Sequence, residues 1–200
     1  MILPSSANIV ILASNYNPSI VSKEWLYQRG IFTETVKNFV HTPVFALVES
    51  EVFSLVVDEE RLQIIAKKVT QDSLNALPSI AEKFVDILPE TPYKGVGLNY
   101  HYNFPREEYD LHTILSPNDA KLSELLSSTY ELGATVVFEF EKFVATFAVS
   151  PSLVKEQQFR MNFNFHSNTA NVGEVKERLS SQMRTLEKTQ EIIQGLSKNG

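Results

Sequence analysis

The sequence predicts an α+β fold: a largely antiparallel, twisted sheet built from two similar β-α-β-β-β-α halves, with helices on one face. Three observations carry that prediction. Apolar runs of strand length recur between charged or Pro-containing breaks. Two longer stretches, 72–88 and 171–194, space their apolar residues by three and four, as a helix docked on one face requires. The order of elements before Pro89-Glu90-Thr91-Pro92 repeats after it, dividing the chain into residues 1–90 and 91–200 of one compact unit.

Residues 8–14, rich in Ile and Val, form a buried strand that Asn15-Tyr16-Asn17-Pro18 breaks. Ser22 then caps a helix over 23–29, with Glu24 in the first turn and Gly30 as the stop. Residues 31–43 show no clear period. Three strands follow at 44–49, 52–58 and 61–68, with connections short enough for antiparallel pairing. Asp72 opens a helix whose stripe is Leu74, Leu77, Ala81, Phe84 and Leu88. Pro78 lacks an N–H and must kink or restart it, and Pro89 ends it.

The second half begins with a long strand over 93–104, stopped by Pro105. A helix over 119–127 takes Asn118 as its cap after Pro117. Residues 133–141 and 143–150 read as a hairpin turning at Glu141-Lys142, and 157–166 as a third strand. A long helix over 171–194 closes the chain, with Val172, Val175, Leu179, Met183, Leu186 and Ile193 as its stripe. Phe138, Phe140, Phe143, Phe147, Phe159, Phe163 and Phe165 make the second half the heavier core.

This order of elements resembles the TATA-box-binding-protein-like fold, a duplicated saddle-shaped sheet. The resemblance is architectural, covers most of the chain and lies in the order of elements alone. It implies a shared antiparallel sheet with helices on one side, and nothing about DNA, because one fold hosts unrelated functions.

Composition removes several classes of function. The 200 residues carry 18 Lys+Arg against 24 Asp+Glu, a net charge of −6, and no basic cluster that could neutralise a phosphate backbone. Lys67-Lys68 is the densest basic pair, and it follows the acidic Asp58-Glu59-Glu60. Absence of Cys excludes a disulfide scaffold, thiolate metal ligation and a Cys nucleophile. The longest apolar runs, 136–140 and 143–149, fall far short of the roughly 20 residues of a membrane helix. A soluble, cytoplasmic protein is expected, with no membrane partner and nucleic acid disfavoured.

Motifs for chemistry are missing. Gly95-Val96-Gly97 has no third Gly and continues as strand, so it is no dinucleotide loop. There is no P-loop, no GxSxG elbow and no HExxH. His41 sits in a loop before Thr42-Pro43, and His112 near a helix with Asp110 and Glu108. Glu139 and Glu141 share a strand face, but a hairpin end with Lys142 alongside accounts for them. Trp25 is either a core anchor for its short helix or an exposed partner contact.

The best functional clue is strict alternation in two strands. Between 93 and 104, Val96, Leu98, Tyr100, Tyr102 and Phe104 form one face, and Gly95, Gly97, Asn99, His101 and Asn103 the other. In the last strand Phe159, Met161, Phe163 and Phe165 face the core, so Arg160, Asn162, Asn164 and His166 face away. The candidate ligand- or partner-binding residues are therefore Asn99, His101, Asn103, Arg160, Asn162, Asn164 and His166. No catalytic residue, metal ligand or cofactor is assigned.

The function expected is a non-enzymatic binding or protein-interaction protein using this uncovered face. One alternative is an enzyme with His101 or His166 as general base in a cleft. Another is a nucleic-acid-binding saddle. A solvated sheet face is the plain competitor to all three. The last two turns of the helix over 171–194, thinner in apolar residues, offer a homodimer contact.

Overall fold

At the centre of the molecule two strands from different halves of the chain lie side by side. They are β1 (Ser6–Ala13) and β6 (Tyr93–Pro105), antiparallel, with Asn8 opposite Asn99 and Ile9 opposite Leu98. The computed structural model describes residues 2–109, 119–126, 131–152 and 158–198. Outward from β1 run β5 (Arg61–Ala66), β4 (Phe53–Asp58), β3 (Phe45–Glu49) and β2 (Asn38–His41). Outward from β6 run β9 (Gln158–Asn168), β8 (Phe143–Pro151) and β7 (Ala134–Phe140). Among the described residues the result is one nine-stranded sheet, antiparallel throughout, in which each half places its last strand beside its first.

The helices are α1 (Lys23–Gln28), α2 (Gln71–Ile87), α3 (Asp119–Leu126), α4 (Val172–Ser180) and α5 (Gln182–Leu196). α2 lies against β1 and β5, and α4 and α5 lie against β6. The strand positions beneath them are apolar and buried: Ile9 and Ile11, Leu62 and Ile64, Val96, Leu98 and Tyr100, Met161, Phe163 and Phe165. Phe165 is met edge-on by Tyr100, Phe138, Phe140 and Phe143, with ring centroids 5.9–6.3 Å apart. Trp25 meets Phe84 edge-on at 5.7 Å, so it docks α1 on α2. Among the described residues no helix is long and apolar enough to cross a membrane.

The cap of α1 falls where the sequence places it, and Asn171, read as the first residue of the last helix, is the cap of α4. Ser22 Oγ accepts the Trp25 N–H at 3.1 Å, and Asn171 Oδ1 accepts the Glu174 N–H at 3.0 Å. Gly30 closes α1 with φ +61, a conformation that costs glycine nothing. Thr70, not the start at Asp72, opens α2. Thr70 and Ser73 cap one another reciprocally. Pro78 neither ends nor restarts α2, which runs through it while Leu74, Leu77, Ala81, Phe84 and Val85 stay buried on the sheet.

Several expectations need correction. The first half has four strands after its helix, because β2 lies within the region that showed no period. It is short and mostly exposed, so its side chains need not alternate. His41 is accordingly the last residue of β2, its Nε2 3.0 Å from the Ser19 carbonyl oxygen, and not a loop residue. The helix expected over 171–194 is two helices meeting at Ser181. Asn118, His112, Asp110 and residue 157 lie outside the described residues.

α5 carries a buried polar layer. α5 turns Gln182, Thr185, Leu186, Thr189, Ile193 and Leu196 inward, with Met183 only half-buried. Tyr102 Oη donates to Thr189 Oγ1 at 2.6 Å, because that threonine gives its own proton to the Leu186 carbonyl. Tyr100 Oη lies 2.8 Å from Thr185 Oγ1 and 2.9 Å from the Gln182 carbonyl oxygen. Large phenols on the sheet need acceptors when buried, and the threonines of α5 provide them. With Ile193 and Leu196 also buried, the last turns of the C-terminal helix pack on the chain's own core, not past the sheet.

Burial pushes the Tyr102 phenol up to about 12, against a smaller lowering by its Thr189 bond, and pushes Tyr100 higher still. A raised phenol favours the folded state fully below its unfolded value near 10. Stability is therefore expected to fall as pH rises from 10 through 12, read as tyrosinate absorbance appearing together with loss of helical circular dichroism. Thr189→Val keeps the shape but strands the Tyr102 hydroxyl, and a urea titration should show a loss of about 1–3 kcal/mol.

Candidate functional site

The face opposite the helices is formed by alternate residues of all nine strands, and their register aligns them in rows. One row reads Val40, Leu47, Val56, Gln63, Val10, Gly97, His166, Val144 and Glu139. The next reads Asn38, Glu49, Ser54, Ile65, Asn8, Asn99, Asn164, Thr146 and Val137. A third, shorter row carries Ser6, His101, Asn162, Ala148 and Thr135. The alternation read from β6 and β9 thus places Asn99, His101, Asn103, Arg160, Asn162, Asn164 and His166 on this single face.

The middle of the second row is an amide ladder. Asn99 Nδ2 donates to Asn8 Oδ1 at 3.0 Å, and Asn164 Nδ2 donates to Asn99 Oδ1 at 2.5 Å. Gln63 Nε2 approaches Asn8 Oδ1 from the next strand at 3.4 Å. In the third row His101 Nδ1 and Asn162 Oδ1 are 2.6 Å apart. That distance needs the proton on Nδ1, since the amide oxygen can only accept. Asn103 Nδ2 donates to Ser5 Oγ at 3.1 Å, while Arg160 is exposed and opposite Asn103.

His166 is opposite Gly97, but its ring leans across to Gly95. A Cβ on Gly95 would lie 3.0 Å from His166 Cε1, so the imidazole occupies the space a side chain would take. Its Nε2 is 3.3 Å from Asn168 Oδ1. A Cβ on Gly97 would meet Asn99, Val10 and Asn164 only at 3.7–3.9 Å. Gly97 therefore lowers the relief of β6 beside the ladder, while the space at Gly95 is filled by His166.

The two imidazoles do not converge. Asn162, opposite His101, and His166 are four steps apart on β9, about 13 Å at strand rise. Each imidazole is bonded to an asparagine and not to a carboxylate. Cavities of ≈ 510 Å³ at the Asp58–Arg61 turn and ≈ 290 Å³ between α2 and the junction of α4 with α5 are lined by none of the candidate residues. Glu141 sits in the hairpin turn with φ 53 and pairs with Arg184 at 2.8 Å, which separates it from Glu139 on the open face. No group of three or more His, Asp or Glu close enough to hold a metal occurs among the described residues.

Charge is sparse over the centre of the face. β1 and β8 hold no charged residue, β6 holds only Lys94 near its start, at the bulge, and β9 holds only Arg160. Towards the rim, Arg61 pairs with Asp58 at 2.7 Å. Glu49 is held below its ordinary value by the Asn38 amide and by Lys67. Asn8 and Gln63 are the members the sequence reading missed. The signal was present, because Ser6, Asn8, Val10 and Leu12 alternate with Ala7, Ile9, Ile11 and Ala13, but a run so apolar reads as buried on both faces. No family model and no curated protein matches the sequence.

Asn99→Ala removes the central member of the ladder. It is expected to cost no more than about 1 kcal/mol in a urea titration, because its neighbours can turn to water. The side-chain amide resonances of Asn8 and Asn164 should both shift. Gly97→Ala should leave stability within about 0.5 kcal/mol, since its Cβ meets only ordinary contacts.

Proposed function

We propose that this chain is a non-enzymatic binding protein whose open sheet face recognises a polar, largely uncharged partner or ligand. Asn99, His101, Asn162 and Asn164 are the centre of the surface, with Asn103, Arg160 and His166 around them. The observation that carries the reading is the amide ladder Asn8–Asn99–Asn164, with His101–Asn162 beside it, on the face opposite the one that α2, α4 and α5 cover.

Each carboxamide has two N–H groups and two acceptor lone pairs. Asn99 uses one donor and one acceptor within the ladder, so half its capacity faces outward, already oriented. Gly97 lets a partner's backbone approach closely. Val10, Leu12, Val144 and Ala148 flank the amides and supply apolar area, a mixture that suits a peptide or protein surface. A phosphate backbone calls for unpaired cations, and the centre of this face offers Arg160. Absence of Cys suits a reducing compartment, and we place the protein in the cytoplasm.

Native mass spectrometry of protein purified without denaturation tests the reading. The wild-type chain should retain a partner or ligand. The triple variant Asn99→Ala, His101→Ala, Asn162→Ala should bind it roughly tenfold or more weakly with its thermal midpoint little changed. Equal binding by the variant contradicts the proposal. So does salt-sensitive retention of DNA or RNA at low ionic strength, which would assign the face to nucleic acid instead.

A further inference from the structure

We propose that the protein forms a two-fold dimer through β7, paired antiparallel with β7 of a second copy and centred on Val137. The inference is independent of what the open face binds.

The sheet has two edges, and the chain treats them differently. β2 is four residues long and blunted by charge. The Asn38 amide donates to Glu49, Lys37 and Lys68 both pair with Glu51, and Lys23 lies 5.1 Å from the Phe39 ring centroid. Pro43 follows two residues after the strand. β7 is longer, seven residues against four, and the ion pairs nearest it, Arg106–Glu131 and Arg184–Glu141, lie beyond its two ends. Its seven residues hold no Lys, Arg or Pro, and Glu139 is its single charge. Val136 and Val137 are 39% and 64% exposed, and Val144 beside them is 54% exposed. Among the described residues no strand pairs with its outer edge. A long apolar edge with a row of unpaired N–H and C=O groups is a template for another strand.

Self-complementarity identifies that strand as a second copy. Centring the pair on Val137 is the register that engages all seven residues. It sets Val136 against Phe138, Thr135 against Glu139 and Ala134 against Phe140 of the other copy, with Val137 facing itself. Apolar pairs then form on both faces, and no like charges stand opposite one another. The opposed β7 strands would join two sheets edge to edge and extend the open face across both copies. With a net charge of −6 on each chain, salt should strengthen the dimer by screening.

Sedimentation velocity over roughly 1 μM to 1 mM should show a monomer–dimer equilibrium. Val137→Lys places two ammonium groups opposite each other at the axis and should raise the dissociation constant by roughly tenfold or more. Thr135→Lys faces Glu139 of the other copy and should preserve or tighten the dimer. Because the chain has no Cys, Val137→Cys is a clean second probe: mild oxidation should link two copies, whereas Val40→Cys on the β2 edge should stay monomeric. The cross-link decides the matter should Val137→Lys fail to fold. A wild-type chain monomeric throughout, an undiminished Val137→Lys dimer, or linking at 40 and not at 137 overturns the proposal.

Discussion

The register of β1 against β6 is the constraint on which the rest of the molecule depends. It is the one pairing that joins the two halves of the sheet, and side chains along a strand alternate with a period of two. With Ile9 opposite Leu98, the apolar sets of both halves point the same way, and one layer of helices can cover both. The same register puts Asn8 opposite Asn99, and β9 then adds Asn164 to the line. A slip of one residue would send the amides under the helices and Ile9 and Ile11 into water. Core and candidate surface are therefore two consequences of one pairing.

The interface between α5 and the sheet follows a second rule, that buried polar groups need partners. Tyr100 and Tyr102 bring large rings to the core and hydroxyls that must be accepted. Thr185 and Thr189, one turn apart and fully buried, stand opposite them. Each threonine also bonds a carbonyl of its own helix, which fixes the direction of its proton. Four polar side chains thus set the rotation of α5 about its axis. A purely apolar stripe would leave that rotation less defined. At the far end, Lys142–Glu177 and Glu141–Arg184 tie the β7–β8 hairpin to α4 and α5.

What the sequence revealed tracks how strongly each segment is patterned. β9 and β6 from Gly95 onward alternate cleanly, so their faces were readable residue by residue, while Tyr93 and Lys94 fall out of phase at a bulge. The cap Ser22 is local hydrogen-bond chemistry and was equally plain. β2 was not, because a four-residue edge strand buries too little to show a period. Met183 looked like core and Thr185 and Thr189 did not. A threonine joins a core only when a specific partner sits opposite, and partners are tertiary information. Asn8 was hidden in the same way, by a strand apolar enough to read as buried on both sides. The candidate residues could be assigned to a face from sequence, but not the ladder, which exists only across strands 91 and 65 residues apart in the chain.

The most direct test of this account is cross-strand proximity at the sheet centre, measured by nuclear Overhauser effects on isotope-labelled protein. Backbone contacts should link Asn8 to Asn99 and Asn99 to Asn164 in one continuous antiparallel register. Contacts displaced by one residue, or none between β1 and β6, would contradict it, because the amides would then lie in the core or the halves would not share a sheet.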